Sequence, residues 1–289
     1  MPVQTIWIVA VIVLVGGAAV PAAWLARARA RLRSEHASLL GKLVDIPASQ
    51  PSGTFCMSSI ADLPEPVVRY FRYALREGQP FIRVARYKQK GRLFADVRIK
   101  RWLAFEAIQV ITPRSPGFIW NARVDVAPWF HVRVCDSYLA GEGAGQVSLL
   151  SAHTVADRRG GPEMNSASLH RYLAEAVWYP TALLPEAGVQ WLAIEKNRAL
   201  ATLTDSGITV SLEFHFNDAG EVTRISTPGR WRSVKGGFAL TPWEGHFREY
   251  QERAGIRIPM EGEVGWFASG ELHLVWKGRI GDISYEFAQ

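Results

Sequence analysis

Cysteine is almost missing from this chain. Only Cys56 and Cys135 occur among 289 residues, which excludes a disulfide scaffold and every zinc-ligand spacing and leaves room for one bridge at most. A Gly-x-Ser-x-Gly elbow, a phosphate-binding loop, a dinucleotide fingerprint and a His-Glu-x-x-His pair are missing as well. The short motifs whose mechanics imply a reaction are therefore absent, and neither a metal nor a cofactor is expected. Lys and Arg are lacking before the first apolar run. An excess of positive charge is lacking over most of the chain: of a formal +6, residues 1–45 hold three, and the rest has 28 basic against 25 acidic side chains. That balance does not fit a nucleic-acid footprint despite the pI of 9.5.

What the sequence does have begins with Ile6 to Leu25, 20 residues without a charged side chain. That length spans a bilayer. Trp7 and Trp24 stand at its ends, where interfacial aromatics concentrate. The competing reading is a cleaved signal peptide, with an apolar core near Ile6–Val15 and small residues at Ala18–Ala23. The first five residues lack the positive charge with which such peptides begin. Arg27, Arg29, Arg31 and Arg33 follow the run, so the positive-inside rule places the large domain in the cytoplasm of a single-pass inner-membrane protein. The extracytoplasmic orientation is the alternative. The bilayer is thus an expected partner. The expected organisation is an anchor with a basic juxtamembrane helix over 1–45, a linker over 46–61 and one domain over 62–289.

In the domain, Asp62-Leu-Pro-Glu65 reads as a capping box opening a helix with the stripe Leu63, Val67, Phe71 and Leu75, closed by Gly78. The period then changes to two. Leu93, Ala95, Val97 and Ile99 alternate with charged residues, as do Phe118, Trp120, Ala122, Val124 and Val126, the pattern of half-buried strands. Ser166 to Pro185 interrupts this with the one other strongly helical segment. Leu169, Tyr172, Leu173, Ala176 and Val177 form a single stripe, with Arg171, Glu175 and Trp178 assigned to the outer side. Pro180 stops the helix, and an apolar strap continues to Pro185. Further strands follow, about eleven in all. This predicts an α+β fold: one large curved antiparallel sheet, an incomplete barrel, covered by two or so helices.

Leu63-Pro-Glu-Pro-Val67 with Arg69-Tyr70, Pro116-Gly-Phe-Ile-Trp-Asn-Ala-Arg123, Ala176-Val-Trp-Tyr-Pro-Thr-Ala-Leu-Leu-Pro185 and Thr241-Pro-Trp-Glu-Gly245 resemble an uncharacterised family of bacterial single-span membrane proteins with one domain of unknown function. The resemblance covers roughly residues 62–287 and implies no activity. The order of helix and strands is also remotely similar to the half-barrel of periplasmic lipoprotein carriers, which hold acyl chains under a helical lid. That likeness implies an extracytoplasmic domain, against the charge bias.

Two sets of side chains are candidates for function. Glu244, His246 and Arg248 share one strand face, Glu261 and Glu263 another, and Arg123 and Asp125 a third. If the strands converge, they supply weak catalytic candidates for a hydrolase-like enzyme; otherwise they form a solvated face of cross-strand ion pairs. The second set is aromatic. Nine of eleven tryptophans lie beyond the apolar run, and an incompletely closed sheet lined with them is either a dense core or a space for a hydrophobic ligand. The residues expected to border that space are Trp178, Tyr179 and Leu183 of the strap with Trp120, Trp243 and Arg123. The leading reading is a membrane-anchored, non-enzymatic domain binding a lipid or other hydrophobic small molecule. The alternatives are the hydrolase-like enzyme and a scaffold for another membrane protein.

Overall fold

The computed structural model describes the backbone of residues 3–47, 53–94 and 101–288, with side chains from residue 22 onward. Helix α1 runs Val3–Val44, about 63 Å at 1.5 Å per residue. The apolar run Ile6–Leu25 falls almost wholly on residues 1–21, whose side chains lie outside the described set. Among the described residues, no helix is long and apolar enough to cross a membrane. The alternating segment at residues 95–100 is likewise outside the description.

Thirteen strands are described, all in one antiparallel sheet. The first meander comprises β1 (Ile82–Phe94), β2 (Trp102–Thr112), β3 (Gly117–Ala127), β4 (Phe130–Leu139), β5 (Glu142–Leu149) and β6 (His153–Arg159). After a helical crossover the second comprises β7 (Val189–Glu195), β8 (Arg198–Asp205), β9 (Ile208–Phe216), β10 (Val222–Val234), β11 (Gly237–Arg253), β12 (Ile256–Ala268) and β13 (Glu271–Phe287). The last strand pairs with the first: β13 and β1 join the meanders, leaving β6 and β7 as the two edges. The sheet is curved and unclosed. Its curl brings distant strands together, since α3 (Pro162–Glu175) touches β4 and β5 on one side and β9 and β10 on the other.

The main core is built from apolar residues on the concave side of the sheet. Leu103, Phe105 and Ala107 on β2, Phe118, Trp120, Ala122 and Val124 on β3, and Val210, Leu212, Phe214 and Phe216 on β9 are all buried. The core they form also takes in α3, the strap and α2 (Glu65–Ala74). Asp62 does not cap α2. The helix starts after Pro64 without a side-chain cap, because Pro64 fixes an extended entry and Glu65 pairs instead with Arg69 one turn on. The stretch expected as a linker is tied down where it is described: Phe55 is 1% exposed and exchanges backbone hydrogen bonds with Gly78 and Gln79.

The central helix departs from its expected bounds and faces. It spans Pro162–Glu175, and three 3-10 turns carry the strap from Ala176 to Ala187. Leu169, Tyr172, Leu173, Ala176 and Val177 are buried as their spacing predicts. Arg171, Glu175 and Trp178 are not on an outer side: the sheet curls round the helix, and Trp178 is 2% exposed. A second, smaller core lies on the convex side. There Leu43 of α1 packs on Val84, Val110 and Ile119, flanked by Leu39, Leu40 and Val44.

Candidate functional site

Inside the curl, α3 carries charge into a largely apolar space. Arg171 lies 2.8 Å from Asp136 on β4 and 2.8 Å from Glu175 one turn on. Its guanidinium stacks over Phe118 and Trp120, 5.0 and 4.9 Å from the ring centroids. Gln109 donates to Glu175 at 2.5 Å, and Trp120 donates to Gln89 at 2.7 Å. Burial works to lower the pKa of Arg171, but Glu175 and Asp136 outweigh it and hold it above its usual value. Burial also raises the Asp136 carboxyl, against the pull of Arg171. Further along, Arg230 lies over Trp243 and Trp266 and donates to the Ala167 carbonyl. Burial, then Arg171, bring Arg230 down to about 10. The cluster is electrically self-matched, which is how an interior tolerates charge.

The strap is packed. Trp178, Tyr179 and Leu183 are 2%, 0% and 0% exposed, and Trp120 and Trp243 are 4% and 3%. Trp178 donates to the Pro259 carbonyl, Tyr179 to that of Tyr172, and Tyr285 to that of Trp178. The indole of Trp178 fits over Gly262, where a Cβ would stand 3.3 Å from the ring. The structure therefore brings the strap residues, Trp120 and Trp243 into one core without an open space between them. Arg123 is elsewhere, on the convex face, paired with Asp125 at 3.0 Å.

The Glu/His/Arg face does assemble, on the outside of the sheet. Register places His246 opposite Glu263 and Arg248 opposite Glu261. His246 lies 2.5 Å from Glu244 and 3.7 Å from Glu263, while Glu261 is held by Arg248 at 2.9 Å and Arg279 at 2.6 Å. Hydrogen bonds from Arg248 draw the Glu261 carboxyl below its usual range. Arg123 and Asp125 on β3 lie four strands from β12 and five from β11 and do not join them. Lys277 and Arg224 extend the pairing to both sides. This is a ladder of cross-strand ion pairs, and neither of the large clefts opens on it.

The open space of the molecule lies instead between α1 and the convex face of β3 to β6. A cleft of about 430 Å³ is bounded by Leu32, His36 and Leu39 of α1 and by Asn121, Arg133, Cys135 and Leu139 of the sheet. A second, of about 580 Å³, adjoins it through Leu32 and Glu35 and extends to Trp24, Arg27 and Arg31 beside the β5–β6 turn. Both fall within the volumes of small-molecule sites. Arg133 is the pivotal group. It donates to Ser151 Oγ at 3.0 Å and to Asn121 Oδ1, both neutral, and has no carboxylate partner among the described residues. Arg123, itself paired with Asp125, stands directly across the β3–β4 ladder from it. Burial and then Arg123 depress the pKa of Arg133. Burial and then Arg133 lower that of His36. Cys135 is a free thiol, as is Cys56. Burial pushes Cys135 up to about 12, which leaves it inert as a nucleophile.

The cleft was missed because α1 read only as an anchor and a basic helix. One signal was there: Leu32, Leu39, Leu40, Leu43 and Val44 continue an apolar stripe past the arginines, which a helix needs only if it packs on something.

The model of the family of unknown function DUF6920 matches residues 61–285. The chain belongs to that family. No curated protein matches it in sequence. Among solved structures, a LolA superfamily protein from Nitrosomonas europaea is similar at 9% identity and a TM-score of 0.40, over 78% of this chain and 93% of that one. A β-barrel-like protein of the domain of unknown function DUF1849 from Brucella abortus is similar at 8% identity and a TM-score of 0.23, over 71% of this chain and 99% of that one. At such identities and scores neither likeness says what this family member binds.

Proposed function

We propose that the chain is a membrane-anchored domain that binds an anionic amphiphile, a lipid or lipid-like molecule, in the cleft between α1 and the convex face of the sheet. The observation that carries this reading is Arg133, a half-buried guanidinium on the wall of an open cleft that bonds only the neutral Ser151 and Asn121, while the carboxylates Glu35 and Asp157 of the same cleft pair with Arg31 and Arg159. A phosphate or carboxylate supplies the opposite charge and takes two parallel hydrogen bonds from the guanidinium fork. Leu32, Leu39, Leu139 and Ala144 offer the apolar side of the same cleft.

The anchor is the run Ile6–Leu25, with the domain on the cytoplasmic side that the following arginines favour. A ligand drawn from the bilayer then meets the wider cleft at Trp24 and Arg27 before it reaches Arg133. Native mass spectrometry of the full chain, extracted in mild detergent, tests the reading. The wild type is expected to retain an anionic lipid and Arg133→Gln to lose it at an unchanged melting temperature. Retention by both proteins, or by neither, would sink the proposal.

A further inference from the structure

Of the exposed large apolar side chains described, the most exposed stands on the turn between β3 and β4. Trp129 is 97% exposed, and Phe130 beside it is 38% exposed. Its backbone φ is +70°, a left-handed conformation that is an outlier for a bulky residue. Glycine or asparagine suits such a position better. An indole held fully in water by a disfavoured backbone contributes nothing to the fold that carries it.

Strand directions fix where this turn lies. It is at the same end of the sheet as the β5–β6 turn, because β4 pairs antiparallel with both β3 and β5. Leu150 of the β5–β6 turn donates to the His131 carbonyl at 3.0 Å, two residues from Trp129. Arg29 of α1 donates in turn to the Leu150 carbonyl at 3.0 Å. At the other end of α1, Pro47 accepts from Ser115 on the β2–β3 turn. The helix therefore lies along the sheet with its apolar run leading away from the end that bears Trp129. Arg29 comes four residues after Leu25, about 6 Å further along the axis. That distance is comparable to the depth of one headgroup layer, roughly 5–7 Å.

We infer that Trp129 is a second contact with the bilayer that holds α1, its indole seated at headgroup depth while the β3–β4 turn rests on the membrane. The inference rests on the anchored part of the function proposed above, not on the ligand. The bilayer suits the site chemically: tryptophan favours the interface because its ring is apolar and its N–H polar. Arg27 and Arg31 flank the same end with charge suited to anionic headgroups. Two contacts, a helix and a turn on different strands, would fix the tilt of the domain and keep the mouth of the cleft at the lipid surface.

Tryptophan fluorescence of the full chain in vesicles of lipids brominated near the headgroup tests this. Trp7, Trp24 and Trp129 are the indoles expected within reach, so Trp129→Phe should lower the quenched amplitude by about one third if the three emit alike. Its melting temperature should not change, since the side chain touches little. If Trp129→Phe leaves the amplitude unchanged while Trp24→Phe lowers it, the anchor stands and the second contact is refuted. If bromine quenches no part of the wild-type emission, the anchored reading fails and this inference falls with it.

Discussion

Arg171 of the crossover helix and Asp136 of β4 meet at 2.8 Å inside the curl of the sheet. The pair ties the crossover helix to the first meander. Glu175 and Gln109 complete the arrangement from the other side of the guanidinium.

Because these groups satisfy one another, removing one strands the rest. Glu175→Ala leaves Gln109 without its acceptor and Arg171 with Asp136 alone. Breaking a fully buried pair costs about 3–5 kcal/mol. Arg171 and Glu175 keep 19% and 15% of their side-chain exposure, so about 2–3 kcal/mol is expected after screening. Denaturant unfolding of Glu175→Ala and Arg171→Met, singly and together, measures it. A double variant no worse than either single one is the expected sign of coupling, and strictly additive losses would refute it.

The sequence reading reached the fold further than the site. Alternation on β3 and β9 placed Trp120, Ala122, Leu212 and Phe214 inward, and they are buried. The expected count of about eleven leaves out β6, whose side chains are nearly all exposed, while β12 and β13 each read as two shorter segments. Pro259 within β12 and Gly278 and Gly281 within β13 look like turn residues. In the sheet Gly278 accommodates a neighbour: a Cβ there would stand 2.3 Å from the Trp276 ring. The faces of α3 were misassigned because a periodicity argument assumes water on one side, and a curled sheet leaves none. Cross-strand neighbours such as Glu263 and His246 were legible once register was imagined, but register itself depends on long-range pairing. The position of α1 against β3 to β6, and with it the cleft, has no local signature beyond a leucine stripe.

The seam between the two meanders offers a sharper test of the topology. Gly91 on β1 faces Gly278 on β13, and a Cβ at Gly91 would stand 2.0 Å from the Lys277 carbonyl oxygen and 2.8 Å from the Gly278 Cα. Backbone cannot rotate aside as a side chain can. Gly91→Ala is therefore expected at or beyond the upper end of the 1–3 kcal/mol typical of overpacking, about 3 kcal/mol. Gly41→Ala on α1, where a Cβ meets nothing within 4 Å, should instead be neutral or stabilising by several tenths of a kcal/mol. Equal melting temperatures for the two variants would mean that β1 and β13 are not paired in this register.

His170 gives the protein a pH dependence that can be isolated. It is 7% exposed on α3, its Nδ1 lies 2.9 Å from the Ser166 carbonyl, and burial, then the charge of Arg230, lower its pKa to about 4 from 6.5. The unfolded chain protonates this group near 6.5 and the folded chain does not until about 4. Between those values the unfolded state binds more protons, so stability falls as pH falls, and it is fully present above pH 6.5. The slope approaches about 1.4 kcal/mol per pH unit across this window, for a total of about 3 kcal/mol. Asp136, raised by burial, acts with the opposite sign, losing stability as pH rises through its own range, so the whole-protein curve mixes the two. The difference between wild type and His170→Gln removes that mixture. Its unfolding free energy should be less sensitive to pH between about 4 and 6.5, with the two curves parallel above pH 7. Parallel curves throughout would show that His170 titrates alike in the folded and unfolded chains, and so that the helix is not buried as α3 is here.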